Sequence, residues 1–101
     1  MTTTLADLTK ATFEPLLHQR FAVRLDAERT DELELVELTS LGAARPKLRE
    51  PFSLIFCGPA KDWFQQGMYP LEHPALGSQP VFLVPIGPNE QGQMRYQAVF
   101  S

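Results

Sequence analysis

The spacing of apolar residues near the start of the chain is that of a helix. Phe13, Leu16 and Leu17 recur at the interval that places side chains on one helical face. Pro15 falls in the first turn, where its missing N–H costs nothing, and either Thr12 or Thr9 can cap the start. This part of the sequence predicts one short helix over about residues 10–19.

From Phe21 onward apolar and polar residues alternate, which is typical of half-buried β-strands. The alternation changes phase between Leu35 and Val36, and this predicts a β-bulge. The segment Phe52–Cys57 is apolar in both phases, which predicts a central strand covered on both sides. Further strands are predicted in 79–88 and 94–101, and Gly67–Gly77 is predicted as a proline-interrupted edge strand.

Short connections between these segments favour antiparallel pairing of sequential strands. The predicted fold is therefore mainly β, in the α+β class. It is a single antiparallel sheet of five or six strands curled into a small barrel, with one short N-terminal helix. The length of 101 residues predicts a single domain over residues 1–101.

Composition narrows the range of functions. The net charge of −3 and the lack of a basic stripe argue against nucleic-acid binding. A single cysteine excludes an internal disulfide and a multi-cysteine zinc site, and we expect no metal and no cofactor. No signal peptide or apolar run of membrane-spanning length is found, so we expect a cytoplasmic protein that does not enter a membrane.

Two residues are candidates for chemistry. His73 lies between Glu72 and Pro74 without a metal-ligand spacing around it, and a structural turn formed by His73, Pro74 and Gly77 is the favoured interpretation. Cys57 alternates with apolar residues inside a predicted strand and is interpreted as a core residue. A hydrolase that uses Cys57 and His73 is the less favoured alternative, and it requires the two side chains within hydrogen-bonding reach.

The segment that follows the third strand carries Trp63 and Phe64 between polar residues. They are the best candidates for exposed aromatic residues, but the favoured interpretation is that such a pair folds back over the open end of the barrel. The alternative is that the pair stays exposed and, with Tyr69, forms a candidate contact for a protein partner. The acidic run 28–37 is interpreted as a solvated strand face, with the basic residues Arg45, Lys47 and Arg49 close by in sequence.

The second half of the chain resembles a small uncharacterised bacterial domain family. The resemblance rests on an FSLxF strand at 52–56, a QGxYxLxHPxLG stretch at 66–77, FLVP at 82–85 and YxAVF at 96–100. It implies a domain of unknown function in which Cys57 is a variable position. It also implies that the protein is encoded near phage-tail-like, tail-collar-type proteins. The function that this implies is an accessory or assembly factor for a fibre.

The leading hypothesis is therefore a non-enzymatic accessory module that binds another protein, such as a tail-collar or fibre-type protein. The main alternative is a small-molecule-binding barrel whose mouth is lined by Trp63, Phe64, Tyr69 and His73. A homodimer formed through an edge strand is compatible with the sequence.

Overall fold

The computed structural model describes residues 8–42 and 50–100. Its elements follow in chain order: α1 Lys10–Phe13, a 3₁₀ helix Glu14–Leu16, β1 Arg20–Arg24, β2 Thr30–Ser40, β3 Phe52–Gly58, β4 Gly67–His73, β5 Gly77–Pro88 and β6 Met94–Phe100. Within the described ranges, no helix has the length and apolar content needed to cross a bilayer.

The N-terminal helix is shorter than predicted. Thr9 is its N-cap and forms a capping box with Thr12, so the helix starts near the expected position. It ends at Leu16 rather than near residue 19, because Leu17 turns to a non-helical ψ of 133° and His18 follows with a left-handed φ of 70°. That turn lets the His18 N–H donate to the Leu35 carbonyl at 2.7 Å, which starts strand pairing at once.

The six strands close into a barrel in the order β1-β2-β3-β6-β5-β4, all antiparallel. Two three-strand meanders, β1–β3 and β4–β6, are joined side to side by the β3–β6 and β1–β4 pairings. The predicted small antiparallel barrel with one short helix is confirmed. In this ring β3 and β4 lie opposite each other, so the connection between them has to cross one end of the barrel.

The predicted β-bulge is also confirmed. The β2–β3 register shifts between Leu35 and Glu37, which makes Val36 the extra residue. Leu33 and Leu35 are fully buried before the bulge, and Leu38 packs against the core after it. The bulge therefore allows both phases of the strand's apolar pattern to contribute to the core.

The helix covers one end of the barrel, here called the helix end. Phe13 packs against Phe52 and Phe100, with ring centroids 5.9 and 5.7 Å apart, and those two rings stack on each other at 4.7 Å. All seven residues of β3 are buried, as expected for a central strand. Full burial of one phenylalanine side chain such as Phe13 stabilises the fold by about 1.5–3 kcal/mol.

The opposite end, here called the loop end, carries the connections 25–29, 59–66 and 89–93. The prediction that Gly67–Gly77 is an edge strand is wrong, because β4 pairs along its length with β5 and also with β1 through Leu71 and Glu72. Pro70 lies opposite Pro80 in this ladder, which places the two residues without an N–H side by side. A homodimer through a free β4 edge therefore has no structural basis.

Candidate functional site

The loop 59–66 crosses the loop end of the barrel, and of its two adjacent aromatic residues one is buried and the other exposed. Phe64 is only 7% exposed, stacked on Tyr96 with centroids 4.1 Å apart and an interplanar angle of 7°. Its ring also meets the edge of Tyr69 at 4.9 Å. The interpretation that the aromatic pair folds back over the barrel end holds for Phe64, because the loop spans the barrel mouth and Phe64 fills that mouth.

Trp63, in contrast, is 50% exposed. The residues on both sides of it are held by hydrogen bonds. The Arg29 guanidinium donates to the Asp62 carbonyl, and the Phe64 N–H donates to the Tyr96 hydroxyl at 3.2 Å. Asp62 has a left-handed φ of 57°, a conformation that needs such support in a non-glycine residue. The loop therefore presents an indole to solvent from a restrained backbone.

Arg29 and Tyr96 hold the residues on either side of Trp63. Arg29 makes a two-point contact with Asp31, Nη2 to Oδ2 at 2.9 Å and Nε to Oδ1 at 3.4 Å, and this hydrogen bonding raises the pKa of the Arg29 guanidinium. Burial raises the pKa of the Tyr96 phenol, while the hydrogen bond from Phe64 opposes that shift. Tyr96 is therefore held neutral as an acceptor for the loop.

Tyr69 lies at the same end but is half-buried. Its hydroxyl donates to the Gln65 carbonyl at 2.6 Å, and its ring packs against the core. Of the three predicted contact residues, the structure thus brings Trp63, Phe64 and Tyr69 together at the loop end and exposes the first of them most.

His73 lies at the helix end, in the turn between β4 and β5. The Leu76 N–H donates to the His73 carbonyl at 2.9 Å, with Pro74 as the next residue of the turn, and Gly77 follows with a φ of 71°. Glycine adopts this left-handed conformation without a steric penalty. The sequence therefore folds here into a proline-initiated turn that glycine completes.

The His73 ring is engaged at both nitrogens. Nδ1 accepts the Ala75 N–H at 3.0 Å, and Nε2 lies 2.8 Å from Gln19 Oε1. Because Nδ1 is an acceptor, the proton is on Nε2, which donates to Gln19. The ring also packs 4.7 Å from Phe21, measured between centroids. His73 thus ties the β4–β5 turn to the segment that follows the helix.

The ligand-binding alternative requires Trp63, Phe64, Tyr69 and His73 to line one barrel mouth, and they do not. Trp63 precedes β4 and His73 ends it, a separation of about 20 Å along the strand. The barrel interior between them is filled by fully buried side chains such as Leu33, Leu54 and Leu83. The recess beside His73 is an open surface depression of about 300 Å³.

The hydrolase alternative requires contact between Cys57 and His73, and the structure separates them. Cys57 lies on β3, opposite β4 in the ring, and its sulfur accepts from Asn89 Nδ2 at 3.5 Å. Both nitrogens of His73 contact other groups at the far end of the barrel. Among the described residues no three His, Cys, Asp or Glu side chains lie close enough together to hold a metal ion.

The acidic run 28–37 lies within the described residues. Glu32 and Glu34 of the acidic run lie on the outer face of β2, where Glu32 pairs with Arg20 at 3.3 Å. Such an exposed pair contributes little stability. The basic residues Arg45, Lys47 and Arg49 lie outside the described residues.

Sequence reasoning missed an apolar strip on the barrel wall. Its members are side chains on the outer faces of β4, β5 and β6: Met68, Pro70, Pro80, Phe82, Val84 and Val99. Met68 is 61% exposed, Phe82 49% and Val99 59%. The available signal was the run of consecutive apolar residues at 81–84, which is too apolar for a strand with one solvated face.

A family model for a domain of unknown function, DUF6916, matches residues 8–100. The chain belongs to this family. That outcome agrees with the resemblance to an uncharacterised domain family, and the family description names no activity. No match was found among curated proteins or among solved structures.

Proposed function

We propose that this DUF6916 domain is a non-enzymatic accessory module that acts in the cytoplasm by binding another protein, with Trp63 as the anchor of the contact. The observation that carries the proposal is the combination of exposure and restraint at this residue. Its side chain is half exposed, while hydrogen bonds hold Asp62 and Phe64 on either side. Tryptophan is enriched among the residues that dominate binding energy at protein interfaces.

The restraint matters because binding costs conformational entropy. A free loop must lose its mobility when a partner binds, whereas this loop is already tied to Arg29 and Tyr96 in the unbound domain. The exposed side chains of Lys61 and Asp62 flank the indole and supply both signs of charge. An apolar anchor inside a polar rim is the usual composition of a protein interface.

For the partner we propose a fibre or tail-collar-type protein. This part of the proposal is supported by the resemblance to a family whose members are encoded near phage-tail-like proteins. The loop end suits such a role, because it projects one indole from the end of a closed barrel rather than from a cleft. A flat or convex contact of this kind fits the surface of a larger protein better than a small molecule.

The test begins with a pull-down from native lysate using the tagged domain, followed by identification of the captured protein and its purification. Binding of that protein is then measured by calorimetry to the parent domain and to Trp63→Ala. We expect Trp63→Ala to weaken binding by at least about 30-fold, the equivalent of the 2 kcal/mol that defines a hot spot.

The matched control is Leu41→Ala. Leu41 is also 50% exposed but lies just beyond β2, toward the helix end. This variant is expected to bind the partner with the affinity of the parent. Equal binding by Trp63→Ala and the parent would reject Trp63 as the anchor, and capture of a protein unrelated to fibres or tails would reject the proposed partner class.

A further inference from the structure

The apolar strip on the barrel wall contains a row of three exposed side chains. Met68 lies directly opposite Phe82 in the β4–β5 ladder. Phe82 and Val99 each lie two residues from the paired Val84 and Gln97, toward the helix end on both strands. Met68, Phe82 and Val99 therefore form a level row across three adjacent strands, about 10 Å wide at the usual strand spacing.

No charged side chain belongs to the strip. The nearest charged residues on the same outer faces lie beyond it and carry opposite signs. Glu72 lies on β4 toward the helix end, where it pairs with Arg24 at 3.4 Å, and Arg95 lies on β6 toward the loop end. The row from Met68 to Val99 runs between these two charges.

From this arrangement we infer that the strip binds a second copy of this chain. A twofold axis through Phe82, lying in the plane of the wall and tilted about 20° from the row toward the helix end on the β6 side, turns the wall onto its own copy. It packs each residue of the row against its counterpart, and it places Glu72 of each copy over Arg95 of the other. Such a contact buries the uncharged centre and pairs the charges at both rims, which is the self-complementarity that a twofold interface requires.

The chain as a whole carries a net charge of −3, which disfavours self-association through faces that carry this excess negative charge. The strip avoids that repulsion. A strip of this size buries less than the roughly 800 Å² per partner of a standard interface. We therefore expect a reversible dimer whose population depends on concentration. The dimer is independent of the Trp63 contact, since the strip lies on the barrel wall and Trp63 at the loop end.

Sedimentation velocity over about 10 µM to 1 mM tests the inference directly. The mass of the parent should rise with concentration toward twice the 11.4 kDa of one chain. Phe82→Glu, which places a charge against its own copy, should weaken the dimer at least about tenfold. Thr39→Glu, an equally conservative test of added charge at an exposed position on β2, should dimerise like the parent.

Charge exchange tests the twofold arrangement itself. Glu72→Arg alone should weaken the dimer, and the double variant Glu72→Arg, Arg95→Glu should recover it. Thermal unfolding of each variant establishes that the fold is retained. A parent that stays monomeric up to about 1 mM, or a dimer that Phe82→Glu leaves intact, overturns the inference, and the strip then has a different occupant or none.

Discussion

Phe64 lies flat on Tyr96, with ring centroids 4.1 Å apart, and its backbone N–H donates to the Tyr96 hydroxyl at 3.2 Å. One residue of the crossing loop is thus fixed to β6 by both its ring and its backbone. The loop is thereby part of the core rather than a surface appendage. This relationship separates the roles of two neighbouring aromatic residues.

The first prediction concerns that separation. Phe64→Ala removes a buried ring from the barrel mouth and should lower the free energy of unfolding by about 3 kcal/mol, measured by urea denaturation. Trp63→Ala is the control, and because half of its side chain is already exposed it should cost less than about 1 kcal/mol. Equal losses in the two variants would contradict the conclusion that Phe64, and not Trp63, fills the barrel mouth.

The second prediction concerns alkaline pH. Burial raises the pKa of Tyr96 in the folded protein above its ordinary value of about 10, so the folded state keeps a proton that the unfolded state releases. The stability from this group is present below about pH 10 and is lost as pH rises through the folded pKa. Urea denaturation between about pH 8 and 11 should show this decline in the parent.

Two variants isolate the contribution of Tyr96. In Tyr96→Phe the alkaline decline should be shallower, and stability at neutral pH should fall by about 1 kcal/mol because the Phe64 N–H loses its acceptor. Tyr69→Phe should keep the decline, since Tyr96 is still present. A Tyr96→Phe profile that parallels the parent over the whole range would show that another group titrates there.

The third prediction concerns the restraint on Trp63. Arg29→Ala removes the donor to the Asp62 carbonyl and the two-point contact with Asp31, so the loop should become more mobile. Trp63 is the one tryptophan of the chain, and its fluorescence reports on the loop directly. We expect a lower anisotropy and stronger acrylamide quenching in Arg29→Ala.

Arg20→Ala is the matched control for the loop measurement. Arg20 pairs with Glu32 at 3.3 Å on the outer wall, so its removal deletes an exposed ion pair without touching the loop. Trp63 fluorescence should then match that of the parent. If Arg29→Ala also leaves anisotropy and quenching unchanged, the restraint does not come from Arg29.

The local features of this fold could be predicted because they depend on local spacing. The change of phase at Val36 indicates a bulge in any strand with one buried face. The opposite orientations of Trp63 and Phe64 at the barrel mouth could not be predicted in this way. Which of the two side chains points inward depends on β3 and β4 lying on opposite sides of the ring, a long-range relationship that alternation does not carry.

The strip on the barrel wall was hidden for a related reason. In Val81–Val84 every residue is apolar, so period-two alternation cannot tell which phase faces the core. The structure buries Val81 and Leu83 and leaves Phe82 exposed. The registers with β4 and β6 then place Met68 and Val99 beside Phe82, and neither register can be read from one strand alone.

The last prediction concerns His73, whose ring joins two separate parts of the helix end. His73→Ala removes the acceptor for the Ala75 N–H and the link to Gln19, so the free energy of unfolding should fall by about 1–2 kcal/mol. His73→Asn should recover part of that loss, because its side-chain oxygen can accept the same backbone N–H. Hydrogen exchange at Ala75 should accelerate in the alanine variant and less in the asparagine variant.

The control is His18→Ala, which alters an exposed ring that lies 3.6 Å from Glu34 and should change the free energy of unfolding by no more than about 0.5 kcal/mol. A His73→Ala variant as stable as His18→Ala would mean that the turn holds through Pro74 and Gly77 without the ring.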